Sequence, residues 1–354
     1  MMEREENTMH IEDFFRNKRK NDVYIIAEIS QNHDGSLGQA HAFIDACAET
    51  GIDAIKFQTH IAEAESTLEE PFRVKFSYED KTRYEYWKRM EFSEEQWIGL
   101  KEHAEGCGLD FLSSPFSIEA FQLLEKIGTK AWKVGSGEVF NSYLLDLMIK
   151  TGKPILLSTG MSTFKDIDEQ VMKVRKGDND FAVFQCTTAY PNSYDRVGLN
   201  VIDELKEKYH CMVGLSDHSG KIYPALAAVA RGARVIEAHV TFSEYMFGPD
   251  VSSSLTIEQL KELTEGIRAI TCMMDNPVNK LELAEEYASL KSIFAKGLYA
   301  QRDIQQGEII CMQDVSMKKP LIGMPAEKYE EIIGKKINID LKKGQPIYEH
   351  FFDV

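Results

Sequence analysis

Ala131-Trp132-Lys133-Val134-Gly135-Ser136-Gly137-Glu138 starts apolar, holds a lysine within its apolar part, and ends in small and acidic residues. A buried ammonium needs a partner, so the run reads as a strand that delivers polar groups to one end. Seven other runs follow the same plan: Val23–Ser30, Ala54–His60, Asp110–Phe116, Pro154–Met161, Phe181–Thr188, Cys211–His218 and Arg234–Thr241. Stretches with helical spacing lie between them, such as Ala40, Phe43, Ile44 and Cys47, or Ala225, Leu226, Val229 and Ala230. Alternating βα units imply a parallel sheet. Eight of them in roughly 250 residues favour closure into a (β/α)8 TIM barrel over an open doubly wound sheet. Chemistry in such barrels sits where strands run into their βα loops, and Glu28, Lys56, Lys133, Glu138, His218 and His239 fall there.

The 354-residue chain carries 41 basic and 57 acidic residues, a net charge of -16, and no basic stripe. That balance excludes a nucleic-acid binder. Six cysteines (Cys47, Cys107, Cys186, Cys211, Cys272, Cys311) are widely spaced without a CxxC pair, as expected of reduced thiols in a cytoplasmic protein. The amino terminus, with Glu3, Arg4, Glu5, Glu6, Arg16, Lys18, Arg19 and Lys20, is too charged for a signal peptide. No apolar run is long enough to span a bilayer, so no membrane association is expected.

The expected organisation is an amino-terminal extension over 1–22, a barrel over 23–275, a linker over 276–290 and a small β-rich domain over 291–354. Asp275-Asn276-Pro277 ends the last barrel helix. Beyond it a weak internal echo pairs Asp303–Glu308 with Asp340–Gln345, each a turn with glycine where positive φ is needed. The longest βα connection, Tyr78–Trp97, is rich in aromatics and charge. It reads either as a lid over the barrel mouth or as an amphipathic helix on the barrel's side.

His218 and His239 end strands seven and eight, which lie about 4.8 Å apart in a barrel. Two imidazoles there can share one divalent metal and leave positions open for water and substrate. Asp217 and Glu237 are expected to support them. Lys56 and Lys133, with Ser136, Ser158 and Ser216 at the same rim, describe a phosphate or carboxylate cradle. The competing reading of the two lysines is internal salt bridging to Glu28 or Glu138. Glu28 and Glu138 are the carboxylates placed for proton transfer or for holding water. Gly135-Ser136-Gly137 does not begin a dinucleotide fingerprint, because Phe140 holds the third glycine position.

Several ordered motifs resemble one family: Glu28–Ser36 (EISQNHDGS), Lys56–Thr59, Ser113–Phe116, Lys133–Glu138, Leu157–Met161, Gly214–His218 and Gly248–Asp250. Beyond residue 20 the chain is similar to sialic acid synthases, with a carboxy-terminal domain similar to type III antifreeze proteins (the SAF fold). The resemblance implies a metal-dependent transferase that condenses phosphoenolpyruvate with an N-acetylated amino sugar, N-acetylmannosamine or a 2,4-diacetamido-trideoxy hexose. By the same resemblance His218 and His239 hold the metal, with Mn first and Mg or Co as alternatives. Lys56, Lys133, Ser136, Ser158 and Ser216 bind phosphoenolpyruvate, Glu138 serves proton transfer or orients water, and Glu28, Gln58, Tyr190 and Asp250 line the sugar site. A homodimer is implied, its small domain covering the partner's barrel.

Three departures stand out. Thr188 replaces an Asn that would contact phosphoenolpyruvate, Thr241-Phe242-Ser243 follows the second histidine where an acidic residue is common, and Lys318-Lys319-Pro320 replaces an Arg that would reach the N-acetyl group. Lys319 lacks the planar fork of Arg. Two rival readings are a Schiff-base pyruvate aldolase using Lys56 or Lys133 and a non-catalytic carbohydrate-binding protein.

Overall fold

The computed structural model describes residues 9–16 and 21–352, so most of the charged amino-terminal residues named above lie outside the described residues. Two compact units divide the chain after Asn276. The first opens with α1 (Ile11–Arg16) and continues as β1 (Tyr24–Ser30), α2 (Leu37–Ala48), β2 (Ala54–Thr59), α3 (Ala62–Glu65), α4 (Arg83–Met90), α5 (Glu94–Gly106), β3 (Asp110–Pro115), α6 (Ile118–Ile127) and β4 (Trp132–Val134). It goes on through α7 (Ser142–Lys150), β5 (Ile155–Ser158), α8 (Phe164–Lys176), β6 (Phe181–Cys186), α9 (Leu199–Tyr209), β7 (Met212–Asp217), α10 (Tyr223–Ala230), β8 (Val235–Thr241), the short β9 (Leu255–Thr256) and α11 (Ile257–Asp275). Strands β1 to β8 pair in parallel in chain order and β8 pairs back with β1, which closes the barrel.

Side-chain alternation divides each strand between two environments. Ile25, Ala27 and Ile29 of β1, like Ile236, Ala238 and Val240 of β8, pack outward in the core shared with the helices. Tyr24, Ile26, Ala54, Leu112, Leu156, Phe184 and Val235 face inward and fill the end of the barrel where the strands begin. The amino-terminal helix α1 seals that end by adding Ile11, Phe14 and Phe15 to the same cluster. Buried Asp110 anchors it, accepting hydrogen bonds from the Ile11 amide at 2.6 Å and the Tyr24 hydroxyl at 2.6 Å.

Two elements differ from the sequence reading. The expected strand over 131–138 ends at Val134, and Glu138 instead opens a single 3-10 turn. The 78–97 connection is two helices, because Thr82/Glu85 and Ser93/Gln96 each form a reciprocal capping box and start a helix of their own. Helix α5 covers the barrel side with Trp97 buried, while α4 turns Arg83, Tyr86 and Trp87 to the cleft at the mouth.

The second unit begins with α12 (Lys280–Glu286) and α13 (Ala288–Phe294) and contains the antiparallel pair β10 (Gly297–Ala300) and β11 (Val315–Lys318). Its core gathers Leu298, Ile304, Ile310, Ile332, Ile337 and Ile347. The repeated turns carry glycines at φ +93° (Gly307) and +84° (Gly344). They clasp each other: the Gln306 amide donates to Asp340 at 2.7 Å and the Lys343 amide to Asp303 at 2.8 Å.

Phe14 is fully buried in the plug, so Phe14→Ala should lower the barrel's unfolding free energy by about 3–5 kcal/mol. Chemical denaturation measures this, and a change below about 1 kcal/mol would mean that α1 does not support the barrel.

Candidate active site

The inward positions beyond the apolar plug are charged. Glu28 stands in register with Lys56 on one side and with His239 on the other. The Lys56 ammonium is ion-paired to Glu28 and lies 3.8 Å from Glu237, while Lys133 donates to Glu237 at 3.0 Å and to Ser158 at 2.7 Å. Ser216 donates to Glu237 at 2.8 Å, and Lys56 to Ser114 at 3.3 Å. All four charged groups are buried.

The salt-bridge reading therefore holds for Lys56 and Glu28, but the partner of Lys133 is Glu237, neither Glu28 nor Glu138. Burial works against ionisation of Glu237, yet Lys133 and Lys56 outweigh it and pull its carboxyl down to about 2. Burial holds Glu28 above the ordinary carboxylate range against the pull of Lys56, with repulsion from Glu237 adding to it. Burial also opposes the charge of Lys56, but Glu237 and Glu28 raise its pKa.

Nearer the mouth, His218 and His239 face each other with ring centroids 5.2 Å apart. The His218 Nδ1 lies 2.9 Å from the Thr187 carbonyl, which can only accept, so this nitrogen carries a proton. Burial keeps His239 below the ordinary imidazole range, and its Nδ1 is buried with no hydrogen bond among the described residues. Neither expected supporting carboxylate serves these rings. Glu237 is turned to the lysines, and Asp217 accepts from Ser219 at 2.6 Å. Tyr190 instead stacks on His218 at 4.2 Å and meets His239 edge-on at 5.9 Å.

A cleft of about 520 Å³ opens above this layer, lined among others by Gln58, Glu138, Thr188, Tyr190, His239 and Asp250. Gln58 donates to Glu28 at 3.3 Å and accepts from Gln31 at 2.6 Å. Asp250 accepts from Ser30 at 2.6 Å. Burial raises Glu138 above the ordinary carboxylate range although Asn141 donates to it at 3.0 Å. Ser136 accepts from the Gly160 amide at 3.1 Å. A Cβ on Gly160 would come within 2.3 Å of Thr188 Oγ1, so only glycine lets the Leu157–Met161 segment approach this closely. Lys319 belongs to the second unit, where its ammonium lies 5.3 Å from the Phe294 ring centre.

Cys186, His60 and Arg73 are at or near the cleft but not among the candidates drawn from the sequence, and Glu237, expected to support the histidines, serves the lysines instead. Glu237 lies two residues before His239 and shares its face, which was the available signal. Cys186 shares the inward face of β6; burial would raise its thiol, but His218 and Ser136 leave it below the ordinary range. His60 is sandwiched between Trp87 at 3.9 Å and Phe116 at 4.6 Å, its Nδ1 2.6 Å from Glu65. Arg73 reaches in from the long connection, 3.2 Å from Asp250 and 4.0 Å from the Tyr190 ring centre.

Among the described residues no helix is long and apolar enough to cross a membrane. Comparison with known proteins matches residues 43–279 to the NeuB family and residues 295–353 to the SAF domain. An N,N'-diacetyllegionaminic acid synthase of Campylobacter jejuni is 35% identical, the match covering 92% of this chain and 98% of that protein. A pseudaminic acid synthase from the same species is 34% identical over 97% and 100% of the two chains. The crystal structure of an N-acetylneuraminic acid synthetase from Leptospira borgpetersenii superposes with a TM-score of 0.68 at 31% identity, over 77% of this chain and 93% of that one. With a barrel, an inward polar layer and these matches in hand, the chain belongs to the NeuB family and ends in a SAF domain.

Proposed function

We propose that this protein is a nonulosonate synthase that condenses phosphoenolpyruvate with an N-acetylated amino-sugar aldehyde and water, giving a nine-carbon 2-keto acid sugar and phosphate. One observation carries the reading. Glu28, Lys56 and His239 share one register layer, so the proposed anion donors and the proposed metal ligands adjoin in a single mouth.

An ammonium has three donor positions. Lys133 spends two of them on Ser158 and Glu237, and Lys56 spends two on Glu28 and Ser114, leaving one on each for a substrate phosphate or carboxylate. Ser136, Ser158 and Ser216 would add hydroxyls. Tyr190 and Asp250, with Gln58, would orient the sugar above them. C3 of phosphoenolpyruvate would form the new bond to the aldehyde carbon, water would add at C2, and phosphate would leave by C–O cleavage. Glu138, held above the ordinary carboxylate range, would deliver or accept the proton that this exchange requires.

The imidazole pair fits a divalent metal. His218 is fixed by a carbonyl as metal-bound imidazoles are, and His239 keeps a buried nitrogen without a partner among the described residues. Mn would be the first choice, with Mg or Co as alternatives; when bound it would supply Lewis-acid polarisation of the aldehyde oxygen. The aldolase reading is weaker, because Schiff-base formation needs a neutral amine. Lys56 is held as an ammonium by Glu237 and Glu28. A purely carbohydrate-binding role would give no use to an anion cradle beside an imidazole pair.

Chelation should abolish turnover, and His218→Ala or His239→Ala should lose bound metal and activity together. Full activity of metal-free His239→Ala would remove the metal from the reaction. Lys56→Ala or Lys133→Ala should weaken phosphoenolpyruvate binding at least about tenfold, as loss of a charge-assisted contact of roughly 1.5–3 kcal/mol requires, with little change for the sugar. Calorimetric titrations showing equal loss for both ligands would assign the lysines a structural role only.

We further propose a homodimer in which the SAF domain of one subunit completes the barrel of its partner, with Lys319 facing the sugar. Lys319→Ala should then raise the KM for the sugar without altering that for phosphoenolpyruvate. Mixing it with His218→Ala should restore part of the activity through hybrid dimers. Full activity from a species that sediments as a monomer would rule this arrangement out.

A further inference from the structure

The outer face of the barrel's helix layer holds a second set of metal-binding side chains. His41 and Asp45 lie four residues apart on α2, and His103 and Cys107 lie four residues apart at the end of α5, so each pair presents one face of its helix. Helices α2 and α5 pack together and bring the two faces into contact. One ligand atom each from Asp45, His103 and Cys107 lie within 4.8 Å of one another. The His103 Nε2 is 2.9 Å from an Asp45 oxygen, and the His103 Nδ1 is 2.9 Å from the Nδ1 of His41.

This is how a metal-binding histidine is arranged. One ring nitrogen faces the other ligands while the second donates its proton to a group behind it, fixing tautomer and ring orientation. His41 is the group behind. Donors of three kinds, imidazole, thiolate and carboxylate, suit zinc and not a hard cation such as magnesium or calcium. Zinc bonds of about 2.0–2.3 Å from three such atoms leave a fourth tetrahedral position for water. We propose that Asp45, His103 and Cys107 form a zinc site, with His41 as its positioning residue, that staples α2 to the end of α5. The site lies in the helix layer, with Cys107 three residues before β3 begins, at the end of the barrel opposite the mouth. It is therefore separate from His218 and His239. On binding, the Cys107 thiol releases its proton to solvent and the zinc–sulfur bond forms; no electron is transferred.

Cobalt(II) added to the full-length protein tests this, because a thiolate ligand gives a charge-transfer band that imidazole and carboxylate ligands lack. The active-site region contains its own thiol, Cys186, so the variants must separate the two. The expected result is a band that persists in Cys186→Ser and in His239→Ala, disappears in Cys107→Ser, and is displaced by zinc. Zinc competition against a chromophoric chelator should show affinity falling more than about a hundredfold in His103→Gln and in Asp45→Asn. The fall in His41→Ala should be about ten- to hundredfold, as befits a group that acts through a ligand. In the His239→Ala background, zinc should raise the melting temperature only while Cys107 is present. Absence of the band from the unmodified protein, or its loss with Cys186 while Cys107 is intact, would overturn the proposal. So would zinc affinity unchanged in both His103→Gln and Asp45→Asn.

Discussion

The carboxylate of Glu237, held between the ammonium groups of Lys133 and Lys56, sets the conditions under which the rest of the barrel works. Removing one partner of such a buried pair costs roughly 3–5 kcal/mol, because the charge left behind has no water to solvate it. With Glu28 the layer contains two positive and two negative side chains. It therefore carries no surplus positive charge, and the chain as a whole is at -16. An anion entering here is held by the remaining donor of each lysine and by the serine hydroxyls, at short range and with defined directions. The long-range field of the protein does not draw it in.

That layer also divides the barrel. On one side Phe184, Leu156, Ile26 and the α1 side chains form a buried apolar plug, and the Lys133 ammonium sits 5.1 Å from the Phe184 ring centre. On the other side are the imidazole pair, Tyr190 and the cleft. A low-dielectric floor strengthens every interaction above it. The cluster that keeps the amino-terminal helix in place is therefore part of the setting of the chemistry, although none of its residues approaches the cleft.

Much of this was legible because strands alternate. Once Lys56, Lys133, Ser158, Ser216 and His239 were assigned to inward positions, period two fixed the rest, and Glu237 and Cys186 were within reach of the same rule. The sequence neighbourhood of Glu237 suggests a support for histidine, whereas its partners are Lys133 of β4 across the barrel, Lys56 of β2 and Ser216 of the adjoining β7. Glu138 was placed on a strand that two glycines end early. The α1 plug has a helical pattern at Ile11, Phe14 and Phe15, but it lies in a segment dominated by charge, and only the barrel's open end explains why those three are apolar. Arg73 follows no period, since the path of a long connection is set by capping residues and by what the connection packs against, whereas His60 continues the inward alternation of Ala54, Lys56 and Gln58 one residue past β2.

The strand residues and the connection residues consequently answer to different constraints. Moving Lys133 or Glu237 by one position would turn it out of the barrel and into the helix-facing core, so the polar layer can change only by substitution in place. Arg73 and Trp87 approach from the 60–92 connection, where Arg73 meets Asp250 and Tyr190, and Trp87, carried by α4, meets Glu70 and His60. Connections of this kind tolerate changes in length without disturbing the barrel. The part of the cleft farthest from the lysine layer is thus the part that sequence change can reshape at least cost to the fold.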